Sequence, residues 1–164
     1  MPRLPQLVSM SILLACVYSC SRSTQSVDRE KTVTSLEVQE RFDRLLNVTA
    51  PIEEARLADQ LEALGPGAIP YLEARLRAGN IREQALAMMI LQRLNGKRSE
   101  AQFSESEVRT YLSWLSDQNV IVRTYAMEAL IKSGKRFQPL IQNYQKHATA
   151  AIQERLNIVL SEMH

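Results

Sequence analysis

From residue 34 onwards, apolar side chains recur every three or four positions. No segment alternates apolar and polar residues in the way a half-buried strand does. Thr34-Ser35-Leu36-Glu37 reads as a capping box, with Leu36, Phe42, Leu45 and Leu46 as the stripe of a first helix. Thr49 and Pro51 suit a second helix start, and Leu57, Leu61 and Leu64 share one face until Gly65 ends it. Gly65-Pro66-Gly67 makes a turn, after which Ile69, Leu72 and Leu76 form a third stripe that stops at Gly79. The stretch from Ile81 to Leu94 has no polar side chain between Ala85 and Leu91, which predicts a helix surrounded on most sides. Ser104-Glu105-Ser106-Glu107 is a second capping box, ahead of Val108, Tyr111, Leu112 and Leu115. Segments over 120–131, 136–144 and 152–163 complete the series. The fold class is all-α.

The first twenty residues follow a different pattern. Arg3 precedes an apolar run from Leu7 to Val17, closed by Val17-Tyr18-Ser19-Cys20. A basic start, an apolar middle and a small residue before the cut are the features of an export signal. The segment resembles a bacterial lipoprotein signal, whose lipobox ends in the Cys that carries the acyl chains; Tyr18 is bulkier than the usual residue at its place. That resemblance implies residues 1–19 as a signal peptide, Cys20 as the lipidation point, and a mature chain anchored in the cell envelope. Ser21, where retained lipoproteins often have Asp, points to the periplasmic face of the outer membrane. The same residues also admit an ordinary cleaved signal or an uncleaved anchor. Cys16 and Cys20 are the only cysteines, so no disulfide is expected in the mature chain. Residues 20–34 are polar and charged without apolar period, as in a flexible tether, which leaves 35–164 as one helical-repeat domain.

Within that domain the sequence repeats. Ile81-Arg82, Ala85 and Met89 recur as Val122-Arg123, Ala126 and Leu130, an offset of 41 residues. Gly65, Pro70 and Leu72 recur as Gly134, Pro139 and Ile141, an offset of 69. The run from Leu115 through Asp117, Val122, Arg123 and Ala126 to Leu130 resembles the first helix of HEAT and HEAT-like (phycobilisome-lyase-type) repeats and the loop before it. Ala68-Ile69-Pro70-Tyr71-Leu72 resembles their second helix. The resemblance covers about residues 50–164 and implies a short right-handed α-solenoid of about three stacked hairpins. On this reading Ala85 and Ala126 allow close helix approach. The polar residues Gln153, Glu154, Arg155 and Asn157 make an outer wall at one end, and the helix over 36–47 closes the other.

Candidate chemistry is sparse. His147 and His164 have no Cys or carboxylate at ligand spacing, so no metal is expected. The serines lie in the tether, caps and turns without a partnering base. Glu53-Glu54 and Glu105/Glu107 occupy helix first turns, where negative charge complements the macrodipole. Phosphate-cradling glycine patterns are absent, and a net charge of +2 with an export signal argues against nucleic acid. No cofactor or small-molecule substrate is implied, and the HEAT-like family's chromophore lyases have no nucleophile or ligand set to carry over. Gly96-Lys97-Arg98 and Gly134-Lys135-Arg136, with Arg93 and Lys132 just before them, form a candidate basic ridge. The same cations also suit ordinary helix C-termini. Tyr71, Tyr111, Trp114, Tyr125 and Tyr144 fall on or beside apolar stripes, so core positions are expected for them. Phe103 lies off any stripe in an insertion after the central helix and is expected to be exposed. These features point to a non-enzymatic, membrane-anchored module that binds a protein partner. Two alternatives stand beside it: a pilot-type assembly factor with an apolar groove for one helix or strand, and an accessory to an enzyme.

Overall fold

The computed structural model describes residues 33–163. The signal segment, Cys20 and most of the tether lie outside them, as does His164. Eight α-helices occur among the described residues: α1 (Ser35–Asn47), α2 (Pro51–Glu62), α3 (Ile69–Ala78), α4 (Ile81–Lys97), α5 (Glu105–Trp114), α6 (Val120–Ser133), α7 (Gln138–Gln145) and α8 (Ala150–Glu162). Single 3₁₀ turns occupy Gly65–Ala68, Glu100–Gln102 and Lys135–Phe137, and no strand occurs among the described residues.

Local chemistry sets the helix starts. Thr34 Oγ1 accepts from the Glu37 amide, and Ser104 with Glu107 forms a reciprocal capping box ahead of α5. Asn80 and Glu83 cap α4 in the same reciprocal way, and the Asn119 side chain accepts from the Ile121 amide at the start of α6. Gly134 ends α6 with φ of 80°, a backbone that only glycine adopts without strain. A Cβ there would also run into the Glu100 carboxyl group.

The core is a single cluster drawn from every α-helix. Helix α3 packs along α4, α5 along α6, α1 along α2 and α7 along α8, while α2, α4, α6 and α8 lie side by side. Cross-contacts give the direction of that row. Arg82 at the start of α4 donates to the Val48 carbonyl just before α2, 2.9 Å, and Arg93 near the other end reaches Asp59 of α2, 2.9 Å. The residues after α4 and α6 meet as well, with Arg136 donating to the Phe103 carbonyl at 3.0 Å. At the far side, Glu162 ends α8 beside Lys132 near the end of α6. The four helices therefore start at one edge and finish at the other.

Several expectations change. The stripe of α1 is Val38, Phe42 and Leu45; Leu36, in the first turn, is 64 % exposed. Aligned on their capping residues Asn80 and Asn119, the central helices α4 and α6 are offset by 39 residues rather than 41. In this register Ala87, Ile90, Leu91 and Leu94 correspond to Ala126, Ala129, Leu130 and Ser133, and all eight are buried. The offset of 41 matched two apolar–arginine pairs, yet Ile81 belongs to the first turn, which projects beyond the core. Ala85 is exposed in consequence and mediates no close approach. Each of α4 and α6 packs most extensively on the helix before it, not the one after it. Of the polar residues expected on the outer wall of α8, Glu154 and Asn157 are exposed, whereas Arg155 donates to the Leu115 carbonyl at 2.9 Å and Gln153 to the carbonyls of Gln145 and Ala148.

Candidate functional site

The most concentrated polar chemistry among the described residues lies where α3, α4, α5 and α6 meet. The carboxylate of Glu73 on α3 accepts from Tyr111 of α5 at 2.8 Å and from Tyr125 of α6 at 3.0 Å. Asn95 of α4 donates from Nδ2 to the Tyr125 hydroxyl, 3.1 Å, and its Oδ1 accepts from Arg98 at 3.3 Å. Burial raises the Glu73 carboxyl above its ordinary range, and the two tyrosine hydroxyls oppose that shift. Burial beside the Glu73 charge likewise pushes both tyrosine hydroxyls up. The rings stack edge to face, Tyr111 against Trp114 at 5.7 Å and against Tyr125 at 5.8 Å between centroids. As the sequence implied, Tyr111, Trp114 and Tyr125 are core aromatics. Each hydroxyl of the network has a partner within it, and Asn95 and Tyr125 also line a groove over the later halves of α4, α6 and α8.

Three of the six cations of the expected basic ridge, Arg93, Lys97 and Arg98, are engaged with acids. Arg93 pairs with Asp59 and with Glu62 at 2.9 and 3.3 Å, and Lys97 pairs with Glu62. The Arg98 side chain is only 5 % exposed. It reaches Glu107 at 2.8 Å and the Gln102 carbonyl at 2.6 Å, and lies 4.0 Å over the Phe103 ring, while its buried Nε has no hydrogen-bond partner. Burial raises Glu107, but bonds from Ser104 and Arg98 outweigh it and leave the carboxyl below its usual value. Phe103, expected at the surface, is 1 % exposed. The insertion folds back, so that Arg98 covers its ring and Arg136 holds its carbonyl. Arg136 also lies 4.5 Å over the Phe137 ring. Of the seven positions singled out, Lys132, Lys135 and Arg136 keep exposed charge without a carboxylate partner among the described residues. Glu100, Glu105 and Glu162 are exposed at the same edge, so it carries both signs.

An open groove of about 800 Å³ lies between α1 and α2, lined by Asp43, Arg44, Glu53, Arg56 and Gln60, and two smaller ones flank the core elsewhere. One of about 390 Å³ lies over the later halves of α4, α6 and α8, lined by Gln92, Asn95, Glu128, Lys132 and Glu162. The other, of about 400 Å³, is bounded by α5, α7 and α8, with Leu112, Leu140, Tyr144, Ala148 and Ile152 on its walls and His147 at its rim. No group of three metal-ligating side chains occurs among the described residues, and none of their helices is long and apolar enough to cross a membrane.

What sequence reasoning missed is at the opposite edge, where α2, α4, α6 and α8 begin. Ile52, Ile81 and Val120 stand in the first turns of α2, α4 and α6 and are 87 %, 81 % and 60 % exposed. Each follows a capping position directly or by one residue, and that pattern was the available signal. The fold is thus all-helical, with the helices of the described residues packed against one another. No protein-family model matches the chain, and no curated protein and no solved structure is significantly similar to it.

Proposed function

We propose that this protein is a non-enzymatic interaction module of the bacterial cell envelope, a short right-handed α-solenoid of HEAT-like hairpins carried on a lipid-modified Cys20. The observation that supports it most is the row α2, α4, α6 and α8, whose helices share one direction and present two open edges. Stacked hairpins of this kind make an extended, stiff surface suited to gripping a protein partner. The Glu73 carboxylate accepts from two tyrosine hydroxyls, and the reading needs no reaction. The export signal ending in Cys20 supplies the membrane association, on the periplasmic face of the outer membrane. Replacing Cys20 by Ala is expected to move the protein from the membrane pellet to the soluble fraction, followed by immunoblot of fractionated cells. Retention in the pellet refutes the anchor.

The apolar groove bounded by α5, α7 and α8 favours a second reading, a pilot-type assembly factor that seats part of a client chain there. Leu140→Glu on its wall separates the two, because it disables an assembly client without touching the open edges.

A further inference from the structure

The groove over the later halves of α4, α6 and α8 has a buried floor and a charged rim. Asn95, Tyr125 and Ala129, which line it, are 3 %, 1 % and 1 % exposed, and Ile131 adds a second aliphatic side chain. Gln92, Lys132 and Glu162 stand exposed around the opening, with Glu128 half-buried.

Hydrogen bonding leaves this floor with a donor to spare. The Asn95 amide nitrogen carries two N–H groups. One donates to the Tyr125 hydroxyl at 3.1 Å, and the other has no acceptor among the described residues. The Asn95 oxygen is already taken by Arg98, whose own Nε is a second buried donor without a partner. The polar network behind the groove therefore holds more donors than acceptors, and an unmade buried donor is costly. An acceptor brought into the groove meets that need at Asn95.

The rim carries charges that the fold does not pair. Glu128 and Lys132 are four residues apart on α6, in the order and at the spacing that favour an ion pair. They do not make one. Glu128 Oε2 accepts instead from Gln92 of α4 at 2.7 Å. Its other oxygen, the Lys132 ammonium and the Glu162 carboxylate have no side-chain partner among the described residues. Asn95, Lys132 and Glu162 also lie in the last turns of α4, α6 and α8, where the negative ends of the helix dipoles favour a cation.

We propose that this groove binds a free α-amino acid with an aliphatic side chain. Its carboxylate takes the spare Asn95 N–H and the Lys132 ammonium, its own ammonium lies with Glu128 and Glu162, and its side chain covers Ala129 and Ile131. A volume of about 390 Å³ is at the small end for a ligand pocket, which suits a single amino acid rather than a peptide. The inference goes beyond the interaction-module reading and does not depend on it.

The test titrates the purified full chain with L-leucine by isothermal calorimetry, beside isoamylamine, which lacks the carboxylate, and 4-methylpentanoate, which lacks the ammonium. Leucine is expected to fill one site with a Kd below about 1 mM, and each truncated analogue to bind at least about fivefold more weakly. Lys132→Met and Glu162→Gln each weaken leucine about fivefold, whereas Lys146→Met, at an exposed cation outside the groove, leaves it unchanged. All three substituted side chains are exposed, and an unchanged thermal melt shows that the variants fold. Absence of saturable binding up to about 10 mM leucine overturns the proposal. So does an affinity that neither groove variant alters, or an analogue bound as tightly as leucine. Any of these failures leaves the module reading in place, since that reading is judged by the Cys20 variant.

Discussion

Tyr125→Phe isolates the hydroxyl network at the centre of the fold. The hydroxyl donates to Glu73 at 3.0 Å and accepts from Asn95 Nδ2 at 3.1 Å, and the residue is 1 % exposed. The phenyl ring keeps the contacts with Tyr111 and Trp114, so the substitution removes one oxygen and almost no packing. Asn95 then has a buried donor without a partner, and Glu73 retains only Tyr111. Stranding a buried polar group costs about 1–3 kcal/mol, which places the expected loss near 2 kcal/mol. For a domain of this size with a urea slope near 1.5 kcal/mol/M, the unfolding midpoint falls by about 1.3 M.

The variant also carries a pH signature. Glu73 has a folded pKa raised above its unfolded value, so the native state binds the extra proton. Stability therefore declines as pH rises through the window between the ordinary carboxylate value and the raised one, and stays lower above it. Removing the Tyr125 donor takes away a bond that favours the charged form, which moves that decline to higher pH. Urea titrations from pH 4 to pH 8 monitor both effects. A loss below about 0.5 kcal/mol with an unmoved pH profile refutes the view that this hydroxyl satisfies a buried carboxylate.

Other substitutions examine separate elements. Ala126→Asp places an unpaired charge at a fully buried site and is expected to abolish cooperative thermal unfolding, whereas Ala85→Asp is expected to change stability by less than about 0.5 kcal/mol; equal effects contradict the 39-residue register. Arg98→Met removes the partner of Glu107 and the clasp on Phe103 and is expected to cost about 1–2 kcal/mol while making residues 99–103 sensitive to protease. Gly134→Ala forces φ of 80° on a residue with a Cβ and crowds Glu100, for an expected loss of at least about 1 kcal/mol by calorimetry.

Helix existence, order and most starts were written in local chemistry. Ser104 with Glu107, the Pro51 start and the stripe Ile69, Leu72 and Leu76 appear in the structure as their spacing predicts. Caps and periodicity act within one or two turns of chain, so they can be read without knowing the neighbours. The stripe of α5, Val108, Tyr111, Leu112 and Leu115, is buried throughout for the same reason. The Asn80–Glu83 box is equally local, and it sets where α4 begins.

Other features depended on residues far apart in sequence. Phe103 is apolar and off any stripe, and whether such a ring is solvated depends on whether its loop folds back; here Arg98, Glu107 and Arg136 hold it in place. Glu73 reads as an outward-facing carboxylate of an amphipathic helix until Tyr111 and Tyr125, 38 and 52 residues later, are brought against it. Ile52, Ile81 and Val120 look like core residues by composition, and only the parallel alignment of α2, α4 and α6 leaves them at an open edge. By itself the sequence determined the helices, since hydrogen-bonded turns and caps are short-range. The tertiary structure alone decided which charges are spent and which apolar side chains remain in water, because burial is a property of what packs alongside.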